Sequence, residues 1–278
     1  MKLRFFGVFV VLLLLLGQAH SDVVILAEQR SSVLDKLAKN LTELIAKDVS
    51  HHTLEYTKNL KSTDIVILAG DKAVSQWRGS QPSIAIWVGR TVIDENHAHL
   101  SSAIYSEPPV VRQLALARFL FPDARISSIY SNQAEEWLVS ELKVAEGSGL
   151  SLVLQSDDQT LNYALKKALS GYDVLLGVED STIYNPSTVK NILISAYRQN
   201  IPLIGPHRAY IRAGAIATTY SSLEHTTTRL AEMIMAERLP AVGYNPYFTV
   251  MFNEQVARSL NILLPASPEA VAEAIRSL

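Results

Sequence analysis

Short apolar runs and amphipathic stretches alternate along almost the whole chain. Residues 23–26 form a β-branched run. Ser32 and Asp35 then stand at capping-box spacing before a helix, with Leu34, Leu37, Leu41 and Leu44 repeating along one face. A weak strand is expected at 53–57 and strong ones at 64–69, 82–88 and 100–106, the last ended by Glu107-Pro108-Pro109. A helix over 110–121 leads to a strand at 126–130 and a helix capped by Asn132 and Glu135. Strand 150–155, helix 159–169 and strand 172–178 continue the alternation. Asn185-Pro186 reads as an N-cap followed by proline at the first helical position, opening a helix to Arg198. Strands at 201–204, 215–219 and 247–252 and helices at 221–237, 254–260 and 267–277 complete the pattern.

Strands that alternate with helices imply parallel sheets covered on both faces. About ten strands divide more naturally into two sheets of about five than into one wide sheet. The second series, from about 104 to 207, is complete in itself, whereas the first is abbreviated. Residues 58–63 are too few for a parallel crossover helix, which needs a dozen or so. Either the strand at 53–57 lies elsewhere or that connection is shortened.

The N-terminus has its own pattern. Lys2 and Arg4 precede a run from 5 to 16 that is apolar apart from Gly7, and Ala19-His20-Ser21 puts small residues at a cleavage site. This is a signal peptide pattern over 1–21, too short for a spanning helix, and cleavage is expected after Ser21. No cysteine is present to carry a lipid anchor, so the expected mature protein is soluble in a bacterial periplasm. Its length allows a large core without disulfides. Cleavage would leave 23 Lys and Arg against 27 Asp and Glu. No basic patch suits nucleic acid.

Motifs for chemistry are missing. The chain has no G-x-S-x-G, no G-x-x-x-x-G-K-[ST] and no G-x-G-x-x-G, so neither a catalytic residue nor a cofactor is assigned. His51-His52 and His97-x-His99 are faint metal candidates that read better as solvated loop histidines. The informative segment is 177–186, which follows the strand at 172–178. Loops at the carboxyl ends of strands are where open α/β sheets bind ligands. Asp180 could take an ammonium group, and Ser181, Thr182 and backbone N–H groups a carboxylate. The same residues equally suit a plain loop in which they satisfy only their own backbone.

Asp180-Ser-Thr-Ile-Tyr184, Ala196-Tyr-Arg-Gln-Asn-Ile-Pro-Leu-Ile-Gly205-Pro206 and Arg212-Ala-Gly-Ala-Ile-Ala217 follow in that order. Together with Asn253, Ala257 and Leu260 near the end and Pro122 to Ile126, they resemble the ABC-transporter substrate-binding family that includes tryptophan/tyrosine-type proteins. The likeness runs from about 104 to 264. The family's Asp-Pro element after the fourth strand is absent, and Ile86-Trp-Val-Gly-Arg-Thr91 stands there. The resemblance implies a type I periplasmic binding fold, two doubly wound parallel-sheet lobes joined by a hinge. Lobe 1 would hold 22–103 and 213–246, and lobe 2 would hold 104–212 and 247–278. The chain would cross near Ile104, Ala213 and Tyr247. It implies a monomer, with no enzymatic activity, that captures a small ligand such as an amino acid and delivers it to an ABC permease. Asp180, Ser181, Thr182, Tyr184, Trp87 and His207 would form the ligand site, with the ring on Tyr184 or Trp87. His207 and Arg208 would be secondary contacts, and His207 has the rival role of capping the next turn. Two alternatives are a ligand sensor docking to a membrane receptor or kinase and an enzyme on a flavodoxin-like scaffold. The abbreviated first lobe speaks for the sensor, since a reshaped lobe means a reshaped docking surface, and the lack of a nucleophile–base set speaks against the enzyme.

Overall fold

The computed structural model describes residues 22–277, so the expected signal segment and its cleavage after Ser21 lie outside the described residues. The first lobe runs β1 (Val23–Ala27), α1 (Ser32–Ile45), β2 (Val49–Thr53), β3 (Ile65–Ala69), α2 (Asp71–Gln76), β4 (Ser83–Val88), α3 (Arg90–Asn96) and β5 (Ser102–Tyr105). The second lobe follows with α4 (Val110–Leu120), β6 (Ile126–Ser131), α5 (Glu136–Gly147), β7 (Ser151–Gln155), α6 (Leu161–Leu169) and β8 (Val174–Leu176). It continues through α7 (Val189–Tyr197), β9 (Leu203–Ile204), α8 (Ala209–Ala213) and β10 (Ala217–Tyr220). The chain then returns to the first lobe with α9 (Leu223–Met235) and β11 (Gly243–Tyr244), and ends in the second with β12 (Thr249–Phe252), α10 (Glu254–Ser259) and α11 (Pro268–Arg276).

Each lobe is built on a six-stranded sheet, in the order β11-β5-β4-β3-β1-β2 and β12-β10-β9-β8-β6-β7. All pairings are parallel except β10 with β12. The apolar run of β1 has every residue buried, because the strand lies between β2 and β3 with both faces covered. One face carries α1 and α9, whose Leu37, Leu41, Leu230 and Met233 join one core. The other carries Val74, Trp77 and Ile93 of the α2 and α3 region.

Several local expectations are corrected. Ser31, one residue earlier than expected, caps α1 by accepting from the Leu34 N–H at 3.3 Å. Asp35 is thereby free to meet the buried His51 Nδ1 at 3.0 Å. The buried stripe of α1 ends on Ile45, leaving Leu44 exposed, because 3.6-residue periodicity carries the stripe past position 44. His51 and His52 lie in β2, not in a loop, and His52 stacks on Tyr56 at 3.7 Å. The weak strand is displaced to Val49–Thr53, and the connection is indeed short: a 3₁₀ turn at Leu54–Asn59 replaces a crossover helix. Asn185-Pro186 does not open a helix. Asn185 Oδ1 accepts from the Ser187 and Thr188 N–H groups at 2.9 and 3.2 Å, making an Asx turn that delays α7 to Val189.

The chain crosses between lobes at residues 106–109, 221–222 and 245–248. The second crossing comes later than expected. β10 pairs with β9 and β12 in the second sheet, so 213–220 stand with the second lobe and the return begins after Tyr220. Strand pairing overrides the family-based boundary there. Among the described residues no helix is long and apolar enough to cross a membrane.

Gln113 of α4 binds the second lobe together where these crossings leave it. Its Nε2 donates to the Gly205 carbonyl at 2.9 Å, the Pro206 carbonyl at 3.1 Å and Thr218 Oγ1 at 2.8 Å. Its Oε1 accepts from the Thr219 N–H at 3.0 Å. The side chain is buried, so its removal strands several backbone groups without water. Gln113→Leu is expected to cost about 2 kcal/mol or more, read as a lower urea midpoint. An unchanged midpoint would show that the network contributes nothing.

Candidate functional site

A cleft of about 720 Å³ separates the lobes. Ser32, Val33 and Lys36 at the start of α1 and Trp87 at the end of β4 line it from the first lobe. His207 and Arg208, after β9, and Thr219 and Tyr220 of β10 line it from the second, and Ser106, Pro108, Ser221 and Ser222 of the crossings close it. It therefore sits at the carboxyl ends of strands in both sheets, the general place for ligands in open α/β sheets.

Trp87 is placed there against the grain of its strand. It is the one exposed position in β4, and its φ of 54° lies in the left-handed region. The β4–β5 register shifts between Ala85 and Val88. Such a bulge re-aims a side chain, and a bulky residue in this conformation costs of order 1–3 kcal/mol. The local fold thus holds a strained indole out of an otherwise buried strand and against the cleft.

The second-lobe wall is ordered by its own backbone. Gly177 ends β8 where a Cβ would lie 2.7 Å from Pro206 Cδ, so only glycine lets the β8 and β9 loops approach. His207 Nδ1 accepts from the Ala209 N–H at 3.3 Å, the capping role, while its ring meets Tyr210 edge-on at 4.9 Å. Burial lowers its pKa. The Arg208 guanidinium lies over the Tyr220 ring at 5.4 Å.

The expected ligand loop has another task. Asp180 is buried, and its Oδ2 accepts from the Ser131 N–H at 2.6 Å. Its Oδ1 accepts from the N–H groups of Thr182 and Ile183 at 3.0 and 3.4 Å. Its carboxylate is taken up by backbone and ties the β8 loop to the end of β6. Ser181 and Thr182 are exposed and lie outside the cleft lining, their carbonyls accepting from Asn185 Nδ2. Tyr184 is buried in the second-lobe core, edge-on to Tyr210 at 6.4 Å, and has no open face for a ligand ring. Of the six expected site residues, the structure brings Trp87 and His207 to one cleft and leaves the other four outside it.

Glu179, next to Asp180, was missed. Its carboxylate has no hydrogen bond or ion pair among the described residues. Burial, and then repulsion from Glu107, push its pKa up to about 8. Glu107, in the first crossing, is itself held by the Arg90 N–H at 2.9 Å and by Ser106 Oγ at 3.2 Å. Burial raises the Glu107 pKa too. A carboxyl of the first crossing and one after β8 therefore stand close enough to repel. The only sequence signal was an acidic residue at a strand end, overshadowed by the more familiar Asp180. Among the described residues no group of three His, Cys, Asp or Glu could hold a metal ion.

This architecture, two parallel-sheet lobes joined by three crossings around a cleft, is that of a type I periplasmic-binding-protein-like fold. The chain matches no family model, and no curated protein matches it. Solved structures do share the fold. An open, ligand-free substrate-binding protein with adhesive properties from Clostridium difficile is similar at a TM-score of 0.67 and 16% identity, covering 89% of this chain and 97% of that one. A conserved domain protein from Vibrio cholerae has a TM-score of 0.55 and 16% identity, over 90% and 98% of the two chains. An ABC domain in complex with L-Trp from Streptococcus pneumonia has a TM-score of 0.54 and 17% identity, over 91% and 98%.

Asp180→Asn replaces an acceptor with a donor facing backbone N–H groups, and is expected to lower stability by about 1–3 kcal/mol. Chemical denaturation reads it, and a wild-type midpoint would refute the tie to β6. Glu179 makes a different prediction. A carboxyl whose folded pKa is raised binds its proton more tightly when folded, so its contribution is present below about pH 4.5 and lost as pH rises through about 8. Glu179→Gln should therefore gain stability relative to the parent as pH rises from 5 to 8. Melting curves that stay parallel across that window would contradict the raised pKa.

Proposed function

We propose that the protein is a periplasmic solute-binding protein that closes its lobes on a small zwitterion with an apolar body, such as an aromatic amino acid, and delivers it to an ABC permease. Trp87 is the observation that carries this reading. Backbone strain is retained at functional sites when surrounding structure enforces it, and here it presents an indole at a cleft walled by both lobes. The charges suit the two ends of a zwitterion. Glu179 stands behind the cleft lining, near enough to Glu107, the neighbour of the lining residues Ser106 and Pro108, to feel its charge, and it draws the ammonium. Lys36 and Arg208 line the cleft, and they take the carboxylate. The L-tryptophan bound in a structure of the same fold supports the choice of ligand.

Capture proceeds by desolvation and hinge closure, with no covalent change to the ligand. An arriving ammonium group meets the Glu179 carboxyl, whose proton passes to solvent, and the cation offsets the repulsion between the ionised Glu179 and Glu107. Closure about the crossings at 106–109, 221–222 and 245–248 then covers the ligand ring against Trp87. Burial of the aromatic body supplies the main attraction, and the paired charges fix its orientation.

Calorimetric titration with L-tryptophan, L-tyrosine, tryptamine and indole-3-propionate tests this. An amino acid should bind at least about tenfold more tightly than either analogue lacking one charge. Its affinity should rise with pH towards about 8, as Glu179 loses its proton. Trp87→Gly should abolish measurable binding while holding or raising the melting temperature, because glycine adopts positive φ without strain. Unchanged affinity in Trp87→Gly would overturn the site. Affinity that falls with rising pH would make Glu179 a donor to an acceptor ligand.

A further inference from the structure

Away from the cleft, three arginines surround one apolar hollow. It has a volume of about 730 Å³, floored by Leu114 and Ala115 of α4, Ile275 of α11, and Phe248 of the third crossing. Arg112, Arg118 and Arg276 stand around it. The Arg112 guanidinium lies 4.2 Å from the Phe248 ring centre and that of Arg276 lies 5.5 Å from it, so two like charges share one aromatic ring. Arg112 donates to the Asn245 carbonyl at 2.8 Å, and Arg118 donates to the Ser148 carbonyl. No carboxylate lines the hollow, and none among the described residues forms an ion pair with any of the three. Burial and the Arg276 charge lower the Arg112 pKa to about 10, which still leaves it charged at neutral pH. A largely buried guanidinium that feels only the Glu141 carboxylate, beyond ion-pair distance and already held by Arg90 and Tyr244, is costly.

We propose that this hollow is a second ligand site, which binds a small organic anion with an aromatic or branched apolar body. Its volume falls in the range of small-molecule pockets, roughly 300–1,000 Å³. Its composition, an apolar floor under a cationic rim, matches a carboxylate on a hydrophobic stem. The carboxylate would replace the missing counter-ion between Arg112 and Arg276, and the stem would cover Leu114, Ala115 and Phe248. Guanidinium forks suit carboxylates through paired hydrogen bonds. The site shares no lining residue with the interlobe cleft, so it stands whether or not the reading of the cleft does.

The experiment titrates 4-phenylbutyrate and its neutral isostere 4-phenylbutyramide into ¹⁵N-labelled protein and follows backbone amide shifts. The carboxylate should bind at least about tenfold more tightly than the amide, with shifts centred on Arg112, Phe248 and Arg276. Arg276→Gln, at an exposed position, should weaken the carboxylate several-fold and leave the amide unchanged. Val111→Trp, also at an exposed position lining the hollow, should block both probes while keeping every charge. Trp87→Gly should leave this binding intact. Equal affinity for the two probes, shifts centred on Trp87 and His207, or indifference to both Arg276→Gln and Val111→Trp would overturn the site. A hexaglutamate peptide that binds more tightly than 4-phenylbutyrate would also overturn it, by making the hollow a docking surface for an acidic chain.

Discussion

Glu141 of α5 holds the two lobes in one relation. One carboxylate oxygen accepts from Arg90 of the first lobe at 2.7 Å and also from the Tyr244 hydroxyl, beside the third crossing. The other accepts from the Val110 N–H at 2.9 Å, where α4 begins after the first crossing. Arg90 in turn lies 4.8 Å from the Tyr105 ring centre and 5.2 Å from that of Trp137. Trp137 Nε1 donates across to Thr91 Oγ1 at 3.2 Å. A partly buried charge with three donors is stable only while all are present, because desolvation is offset by the set rather than by any one bond. The contact therefore specifies geometry more than it adds stability, and it acts beside the hinge where a small rotation moves the cleft walls furthest.

From that anchor the cleft follows. α4 starts at the Glu141 cap, and three residues on it presents Gln113 to the end of β9 and to β10. This fixes the loop that carries His207 and Arg208. Asp180 performs the equivalent task for the β8 loop, gathering N–H groups from its own turn and from Ser131. Both polar groups are saturated, so they are rigid framework. Glu179 and Trp87 are the opposite: one is a carboxyl without a hydrogen-bond or ion-pair partner among the described residues and the other has a strained backbone. Framework residues satisfy themselves, whereas residues left unsatisfied by a well-ordered frame are poised for something that comes from outside.

The contrast explains what was visible before the structure. A D-S-T-x-Y loop attracts attention because Asp, Ser and Thr are common ligand contacts, yet the same residues are the usual means of satisfying a tight loop, and here Asp180 does the latter. Tyr184 stood at the right place in the chain but points into the second-lobe core. Trp87 was legible only as an aromatic at the end of a strong strand. Its reversed φ and the register shift beside it arise from pairing with β5, a partner distant in sequence. Glu179 had no pattern at all, since its raised pKa depends first on burial and then on Glu107 arriving in the first crossing.

Local chemistry was enough for the alternation of strands and helices and for two sheets in place of one, and it narrowed the link after β2 to a displaced strand or a shortened connection. Apolar periodicity, capping residues and connection length act over a few neighbours and are written directly in the chain. The crossing at 221–222 was another matter: residues 213–220 are apolar enough for either lobe, and only pairing with β9 and β12 assigns them to the second. The cleft and the arginine-rimmed hollow likewise exist because packing unites positions far apart in the chain. Arg112 and Arg276 meet over Phe248 through the docking of α11 on α4 and β12, and no local rule could have placed them on one ring.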